Sequence, residues 1–212
     1  MRTSGKRGPG RPFGAAADET RKSIVRAARY VFSQRGYDGA TFKEIASCAD
    51  LTRPAINHYF ANKRVLYQEV VDRTNELVVE AGIERALRET SLAARISTII
   101  DVAVEANSRN PSAAALLATD VLESQRHPEL SPNGNDTVRA AREFLIWAVN
   151  DAIERGELTG DIDTAALIET LMVVACGLTF YAGYIGSHEQ IDTAAESVRQ
   201  LLKGELARLS PS

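Results

Sequence analysis

Apolar residues recur three and four positions apart along most of the chain, which is the spacing of an amphipathic α-helix. The pattern predicts a first helix that Asp18 or Thr20 caps and Gly36 ends, followed by two short helices over Thr41–Phe60. Helical spacing continues beyond Asn62, and no alternating pattern of useful length predicts a β-strand. The sequence therefore predicts an all-α protein with about nine helices.

Five further helices are predicted after the long helix that begins near Asn62. They cover Ser91–Ser108, Ala113–Leu122, Val138–Glu154, Thr164–Ile185 and Asp192–Leu209. The longest apolar stretch, Leu171–Gly186, has 16 residues, fewer than the roughly 20 that span a bilayer. A buried core helix is therefore expected there, with no membrane partner.

Charge is distributed very unevenly along the chain. Residues 1–66 contain 13 Lys or Arg and 5 Asp or Glu, whereas residues 67–212 contain 12 and 23. A basic segment suits a polyanionic partner such as double-stranded DNA. We therefore divide the chain into a disordered basic arm (1–17), a head (18–66) and an acidic body (67–212).

The segment Thr41–Phe60 has the pattern of a helix-turn-helix. Apolar Ile45 and small Ala46 fall where two short helices would cross closely. Asp50 lies at the turn, where the left-handed backbone favours Gly but tolerates Asp. Thr52 can cap the second helix. The exposed side of that helix carries polar residues that suit base edges and phosphates: Thr52, Arg53, Asn57 and His58.

These residues, with the segments on either side, resemble the N-terminal signature of the TetR family of transcriptional regulators. The matching positions, over about residues 20–67, are Gly36-Tyr37, Thr41, Ile45-Ala46, Tyr59-Phe60, Asn62-Lys63 and Leu66. The chain departs from the family at Asn57, where the recognition helix often has Tyr, and at Asp50, where the turn usually has Gly. The resemblance implies a three-helix helix-turn-helix DNA-binding domain followed by a helical ligand-binding and dimerisation domain.

The resemblance also implies which residues contact DNA. Four would contact phosphates or lie near the DNA backbone: Thr41, Thr52, Tyr59 and Lys63. Three would face the major groove: Arg53, Asn57 and His58. The alternative for His58 and Tyr59 is that they only cover the surface of the head.

The N-terminal arm contains a further candidate contact with DNA. Its segment Lys6–Pro12 has a Gly-Arg-Pro core around Arg11, similar to an AT-hook, which lays an arginine along an A·T-rich minor groove. The alternative is a solvated basic tail that raises affinity without selecting a sequence. The residues alone leave both interpretations open.

Apolar stripes on the last two predicted helices are candidates for a dimer interface. In the TetR family these helices pair with their symmetry mates as a four-helix bundle. The stripes consist of Leu167, Leu171, Val174, Leu178 and Tyr181, and of Ala194, Val198 and Leu201. A purely intramolecular core is the alternative for each residue.

A second set of apolar and amphipathic residues in the body is a candidate ligand pocket. It lies on helices that commonly line pockets in the family and consists of Phe144, Trp147, Met172, Cys176, Phe180 and Tyr184. Such a pocket would take a hydrophobic molecule with a few polar groups. Aromatic residues at helical spacing are also typical of a core, which is the alternative.

The sequence offers no motif for catalysis, for a metal or for a cofactor. It contains no HExxH, GxSxG, P-loop, dinucleotide fingerprint or CxxC pair. Cys48 and Cys176 fall in apolar helical patterns and are expected to be buried free thiols in a reducing cytoplasm. An enzyme is therefore not expected.

Together these features predict a homodimeric DNA-binding repressor of the bacterial cytoplasm and nucleoid. It would bind a palindromic operator as a dimer, and a small hydrophobic effector would release it. The alternative is an activator, or a regulator that needs no ligand, with the same head.

Overall fold

The computed structural model describes residues 13–132, 134–158, 163–202 and 204. Ten α-helices lie in these ranges: α1 Phe13–Gly39, α2 Phe42–Cys48, α3 Arg53–Tyr59, α4 Lys63–Asn75, α5 Ala81–Ala86, α6 Leu92–Arg109, α7 Ala113–Arg126, α8 Asp136–Glu154, α9 Thr164–Tyr184 and α10 His188–Leu202. A π-helical segment, Glu76–Glu80, joins α4 to α5 without a break, so the described ranges hold nine separate helical rods. This architecture confirms the predicted all-α fold.

The head consists of α1, α2 and α3 packed around one apolar core. Its fully buried side chains include Ile24, Phe32, Ile45, Ile56 and Phe60. Each side chain of this size stabilises the fold by about 1.5–3 kcal/mol when it leaves water. Leu66 of α4 and Leu116 of α7 belong to the same cluster. The head therefore shares its core with the body and does not pack independently.

The body has a second core between α6, α8 and α9. Its buried side chains include Ile96 and Ile100 of α6, Phe144, Ala148 and Val149 of α8, and Ile168, Leu171 and Met172 of α9. These positions follow the three- and four-residue spacing that predicted the helices. Between the two cores runs α7, which packs against α1, α4 and α9.

The first helix differs from its prediction at both ends. It begins at Phe13 rather than at Asp18 or Thr20, so residues 13–17 belong to a helix and not to a disordered arm. Alanines at 15, 16 and 17 explain the extension, because Ala is the strongest helix former. Gly36 interrupts the helix as predicted, but helical turns continue to Gly39. Residues 1–12, which include Arg11, lie outside the described residues.

The cysteines and α9 are more exposed than predicted. Cys48 and Cys176 are exposed free thiols, so the expectation that they are buried is wrong for a single chain. Only 17% of the most apolar window of α9 is buried, which also overturns the buried-helix prediction. Among the described residues, α9 is the one helix long and apolar enough to cross a membrane, a property that core helices of soluble proteins share.

Candidate nucleic-acid interface

Thr41 fixes the start of α2, the first helix of the helix-turn-helix. Its hydroxyl oxygen accepts a hydrogen bond from the backbone N–H of Glu44 at 3.1 Å, which is the arrangement of an N-cap. The hydroxyl hydrogen stays available, because the oxygen acts only as an acceptor in this bond. Thr41 is exposed, so a phosphate can reach the hydroxyl that the sequence assigned to it.

The turn between α2 and α3 has the left-handed residue that the sequence predicted. Asp50 has a φ of 54° and is the only non-glycine residue with positive φ in the described ranges. The chain then returns through a hydrogen bond from Leu51 N–H to the carbonyl of Ala46 at 2.9 Å. The hydroxyl of Thr52 accepts from Ala55 N–H at 3.3 Å and caps α3. These bonds fix the direction of α3.

One face of α3 is polar and points to solvent. Ile56 is fully buried in the head core, whereas Arg53, Asn57 and His58 are exposed, as is Thr52 at the cap. Arg53 and Asn57 are one helical turn apart and therefore lie on the same side. Arginine can donate two hydrogen bonds to guanine and asparagine can pair with adenine, so this face has the chemistry of base readout.

Tyr59 and Lys63 lie beside this face but are already engaged within the head. Tyr59 is half-buried against the head core, and its carbonyl accepts a hydrogen bond from Arg21 at 3.3 Å. The Lys63 ammonium donates to the carbonyls of Asp38 at 3.2 Å and Ala40 at 3.3 Å, and it lies 4.5 Å from the centre of the Tyr37 ring. Lys63 thus closes the loop after α1, a role that the sequence did not reveal.

An ion-pair network that the sequence analysis missed joins α1 to α4 next to α3. The Arg21 guanidinium donates to both carboxylate oxygens of Glu69, and Arg73 donates to Glu69 at 2.9 Å. The hydrogen bond from Arg21 holds the pKa of Glu69 below its usual value. Arg21 also lies over the Phe60 ring, 4.5 Å from its centre. The four-residue spacing of Glu69 and Arg73 was the available signal.

The junction between head and body is built around the kink at Gly36. The buried carboxylate of Glu123, on α7, accepts a hydrogen bond from the Tyr37 N–H at 3.2 Å. His127, one turn later, lies 3.1 Å from the Asp38 carboxylate and 3.7 Å from that of Glu123. A hydrogen bond to a carboxylate exposed to water contributes little to stability. The Glu123 carboxylate is buried, and its bond ties α7 directly to the backbone of the head.

A second buried carboxylate on α7 completes the junction. Asp120 accepts hydrogen bonds from the Tyr67 hydroxyl at 2.8 Å and from the Asn135 amide at 2.7 Å. Burial raises the pKa of Asp120 above its usual value, although both hydrogen bonds act in the opposite direction. Asp120 and Glu123 are three residues apart, so one face of α7 holds both the contact with Tyr67 of α4 and the contact with Tyr37 of the head.

The structure separates the six predicted pocket residues into two groups. Phe144 and Met172 are buried in the second core, and the half-exposed Trp147 has its ring centre 5.7 Å from that of Phe144. Cys176 and Phe180 are exposed on α9. The structure therefore brings Phe144, Trp147 and Met172 together at the second core and pairs Phe180 with Tyr184 elsewhere on α9, with ring centres 5.4 Å apart.

Tyr184, the sixth predicted pocket residue, instead ties α9 to the rest of the fold. Its hydroxyl bonds to Thr119, lies 3.2 Å from the Ala115 carbonyl, and lies 3.4 Å from the Ser33 carbonyl. Thr119 and Ala115 belong to α7 and Ser33 belongs to α1. The side chain thus connects the apolar helix α9 with the head.

The predicted dimer stripe of α9 packs mainly on the chain's own core. Leu171 is buried there, so it is wrong as an interface residue, because a side chain buried within its chain cannot reach a partner. Leu167, Leu178 and Val198 are partly buried against the same core. The rest of the predicted set is half-buried Val174, Tyr181 and Ala194 and exposed Leu201.

The face of α9 that does point to solvent was missed by the sequence analysis. Val173 is 70% exposed and Phe180 is 50% exposed, with Cys176 and Gly177 between them at helical spacing. Beside this face, Tyr181 and Ala194 help to line an open groove of about 510 Å³ between α9 and α10. Glu189, Gln190 and Thr193 complete the lining of the groove, so the contiguous apolar exposure lies on the Val173–Phe180 face of α9.

A family model and curated relatives match this arrangement. The model of the TetR family of bacterial regulatory proteins matches residues 24–70, from α1 through the helix-turn-helix into α4. The transcriptional regulator UidR of Escherichia coli K12 is 25% identical over 76% of this chain and 81% of its own length. The transcriptional repressor NicS of Pseudomonas putida KT2440 is 27% identical over 78% of this chain and 76% of its own length.

A solved structure extends the likeness to the fold of the whole chain. The transcriptional regulator FadR of Bacillus subtilis, solved in complex with stearoyl-CoA, aligns over 87% of this chain and 98% of its own. The TM-score is 0.69 at 17% sequence identity, a likeness of fold alone. The helix-turn-helix head thus matches the TetR family of bacterial regulatory proteins, and most of the chain is similar to transcriptional regulators.

Proposed function

We propose that this protein is a homodimeric transcriptional repressor that binds an inverted-repeat operator through α3 and leaves it when a hydrophobic small molecule binds. The observation that carries the proposal is the exposed polar face of α3, held in place by the Asp50 turn and the Thr52 cap. The relative NicS is a repressor by name, which supports repression. We further propose that the protein acts on nucleoid DNA in the bacterial cytoplasm and catalyses no reaction.

Within α3, the proposal divides the residues by the part of DNA that they contact. Arg53, Asn57 and His58 read base edges in the major groove. Four residues around them position the head on the sugar-phosphate backbone: Thr41, Thr52, Tyr59 and Lys63. Arg11 contacts the adjacent minor groove or adds positive charge only.

A homodimer follows from the apolar surface of α9 and α10. Val173, Phe180 and Leu201 are each at least half exposed in a single chain, and contiguous apolar exposure of this kind marks an interface. Two-fold pairing of α9 and α10 would place two copies of α3 in successive major grooves, about 34–36 Å apart. The operator should therefore be an inverted repeat.

The effector is proposed to enter the body between α6, α8 and α9, beside Phe144, Trp147 and Met172. Three buried polar atoms on α6 and α8 have no hydrogen-bond partner among the described residues: Ser97 Oγ, Asn107 Oδ1 and Thr137 Oγ1. A mostly apolar molecule with a few polar groups would satisfy such atoms. FadR, with stearoyl-CoA bound in its structure, supports a ligand with a long apolar part.

Footprinting on DNA that flanks the protein's own coding region tests the head. We expect protection of an inverted repeat, and we expect Asn57→Ala to reduce the ratio of operator to non-operator affinity. Asn150→Ala is the matched control, because Asn150 is also exposed but lies on α8. Equal effects of the two variants, or tight binding by a monomer in light scattering, would contradict the proposal. Higher transcription with the protein present would favour activation.

Ligand titration tests the body. A hydrophobic effector should raise the melting temperature and weaken operator binding, and operator DNA must weaken effector binding by the same factor. Coupling of this kind is typically about 5–150-fold. If no hydrophobic compound changes the melting temperature, the regulator works without a ligand.

A further inference from the structure

A basic groove of about 230 Å³ lies between α1 and α4. Its lining consists of Glu19, Lys22, Val25, Arg26, Arg29 and Arg73. Lys22, Arg26 and Arg29 follow each other at four and three residues, so they share one face of α1. None of the six residues belongs to the set assigned to DNA contact.

Arg29 is the unusual residue of this groove. It is only 6% exposed, and its guanidinium donates to the Thr74 hydroxyl and to the Asn110 side-chain oxygen, each at 3.0 Å. Both partners are neutral, and burial lowers the pKa of Arg29. A buried cation normally has an anionic partner, because its desolvation is otherwise expensive. No carboxylate forms an ion pair with Arg29 among the described residues.

The remaining charges of the groove are only partly balanced. Lys22 pairs with Asp18 at 2.7 Å and Glu19 at 3.4 Å. Arg73 pairs with Glu69 at 2.9 Å, but Glu69 is shared with Arg21. Arg26 is exposed and, within the described part of the chain, forms no ion pair. The groove therefore keeps an excess of positive charge, centred on Arg26 and Arg29.

We propose that this groove binds a small molecule through a phosphate group. A terminal phosphate offers three oxygens, which suits the guanidinium groups of Arg26, Arg29 and Arg73 better than the two oxygens of a carboxylate. The volume corresponds to about eight water molecules at roughly 30 Å³ each, which admits one or two phosphate groups and little else. The site is distinct from the proposed hydrophobic effector site, because it lies between α1 and α4 and not between α6, α8 and α9.

The position of the groove gives the bound phosphate a structural consequence. Arg29 belongs to the head, whereas its partner Asn110 lies in the turn between α6 and α7 of the body. A phosphate on Arg29 and Arg73 would neutralise the buried cation where these two parts meet. Binding should therefore stabilise the fold as well as occupy the groove.

Calorimetric titration of the full chain with inorganic pyrophosphate tests the site. Ionic strength is held constant with potassium chloride, because a diffuse positive field is screened by salt whereas a built site is screened less. We expect saturable one-site binding to the wild type and at least a tenfold loss of affinity in Arg26→Gln. Arg35→Gln is the control, since it removes the same charge from the exposed end of α1 and should change affinity less than twofold.

Two outcomes would overturn the proposal. One is that pyrophosphate fails to bind at millimolar concentration. The same holds if Arg26→Gln and Arg35→Gln lower its affinity equally, because binding would then depend only on the general positive charge of the surface. The other is that Arg26→Gln weakens operator DNA tenfold while pyrophosphate does not bind, which would make the groove a contact for the DNA backbone. Arg26 is exposed, so Arg26→Gln should fold. The Arg29→Gln variant is measured second, and circular dichroism checks that it is folded.

Discussion

Replacing Gly36 with alanine would test whether the kink in α1 is built around the buried carboxylate of α7. Gly36 has φ 68° and ψ −177°, a region of backbone conformation that is essentially restricted to glycine. A Cβ atom at this position would lie 2.5 Å from Oε1 of Glu123. That oxygen cannot move freely, because it accepts the hydrogen bond from Tyr37 N–H and its side chain is buried.

The expected cost of Gly36→Ala has two parts. The backbone conformation costs about 1–3 kcal/mol for a non-glycine residue. Displacing the Glu123 carboxylate breaks its bond with Tyr37 N–H and leaves buried polar groups unpaired, at about 1–3 kcal/mol. We therefore expect a loss of roughly 2–6 kcal/mol, measured by urea denaturation at equal chain concentration. A domain near the middle of the ordinary stability range of about 5–15 kcal/mol would survive this loss.

Two controls separate the parts. Gly156 also has a positive φ, of 70°, but a Cβ there would meet nothing within 4 Å, so Gly156→Ala should show the cost of a positive φ without a steric clash. Gly36→Ala in a Glu123→Ala background should likewise lose the clash and cost less than in the wild type. Equal losses in the Gly36 and Gly156 variants, or additivity with Glu123→Ala, would refute the steric argument.

Three further variants test other parts of the structure. Lys63→Ala should weaken binding to all DNA sequences and reduce the slope of log affinity against log salt concentration by about 1. It should also lower the free energy of unfolding, since Lys63 donates to two carbonyls, and an unchanged urea midpoint would contradict that role. Glu69→Gln should destabilise at pH 7, and the difference from wild type should shrink as acid protonates Glu69 below its usual pKa near 4.5, whereas exposed Glu84→Gln should have little effect at any pH. Phe180→Asp should shift light scattering from dimer to monomer, and a persistent dimer would exclude this face of α9.

The head could be read from the sequence because its signals are local. The cap hydroxyl of Thr52 and the left-handed Asp50 each depend on residues within a few positions, and both are found in the structure. The charge excess of residues 1–66 likewise needed no tertiary information. Lys63 shows the limit of this approach, because its carbonyl partners lie more than twenty residues away.

Which face of α9 is exposed could not be predicted from local sequence signals. Leu171 and Val173 are both apolar, and nothing local distinguishes the one that is buried from the one that is exposed. A helix that is apolar on every side has no hydrophobic stripe from which its orientation follows. Only the packing of α9 against α7 and α8 decides which side remains for a partner. The exposure of Cys176 follows from the same orientation.

The junction explains how a signal in the body can reach the head without a flexible hinge. Leu116 lies in the head core, and on the same helix Asp120 and Glu123 hold Tyr67 and the backbone of Tyr37. Pulling α7 away would break the hydrogen bonds that Tyr67 donates to buried Asp120 and Tyr37 N–H donates to buried Glu123, which is costly, so intermediate separations are disfavoured. A displacement of α7 should therefore carry α1 and α4 with it. Because Tyr184 of α9 also bonds to α7, a change at the exposed face of α9 would travel by the same helix.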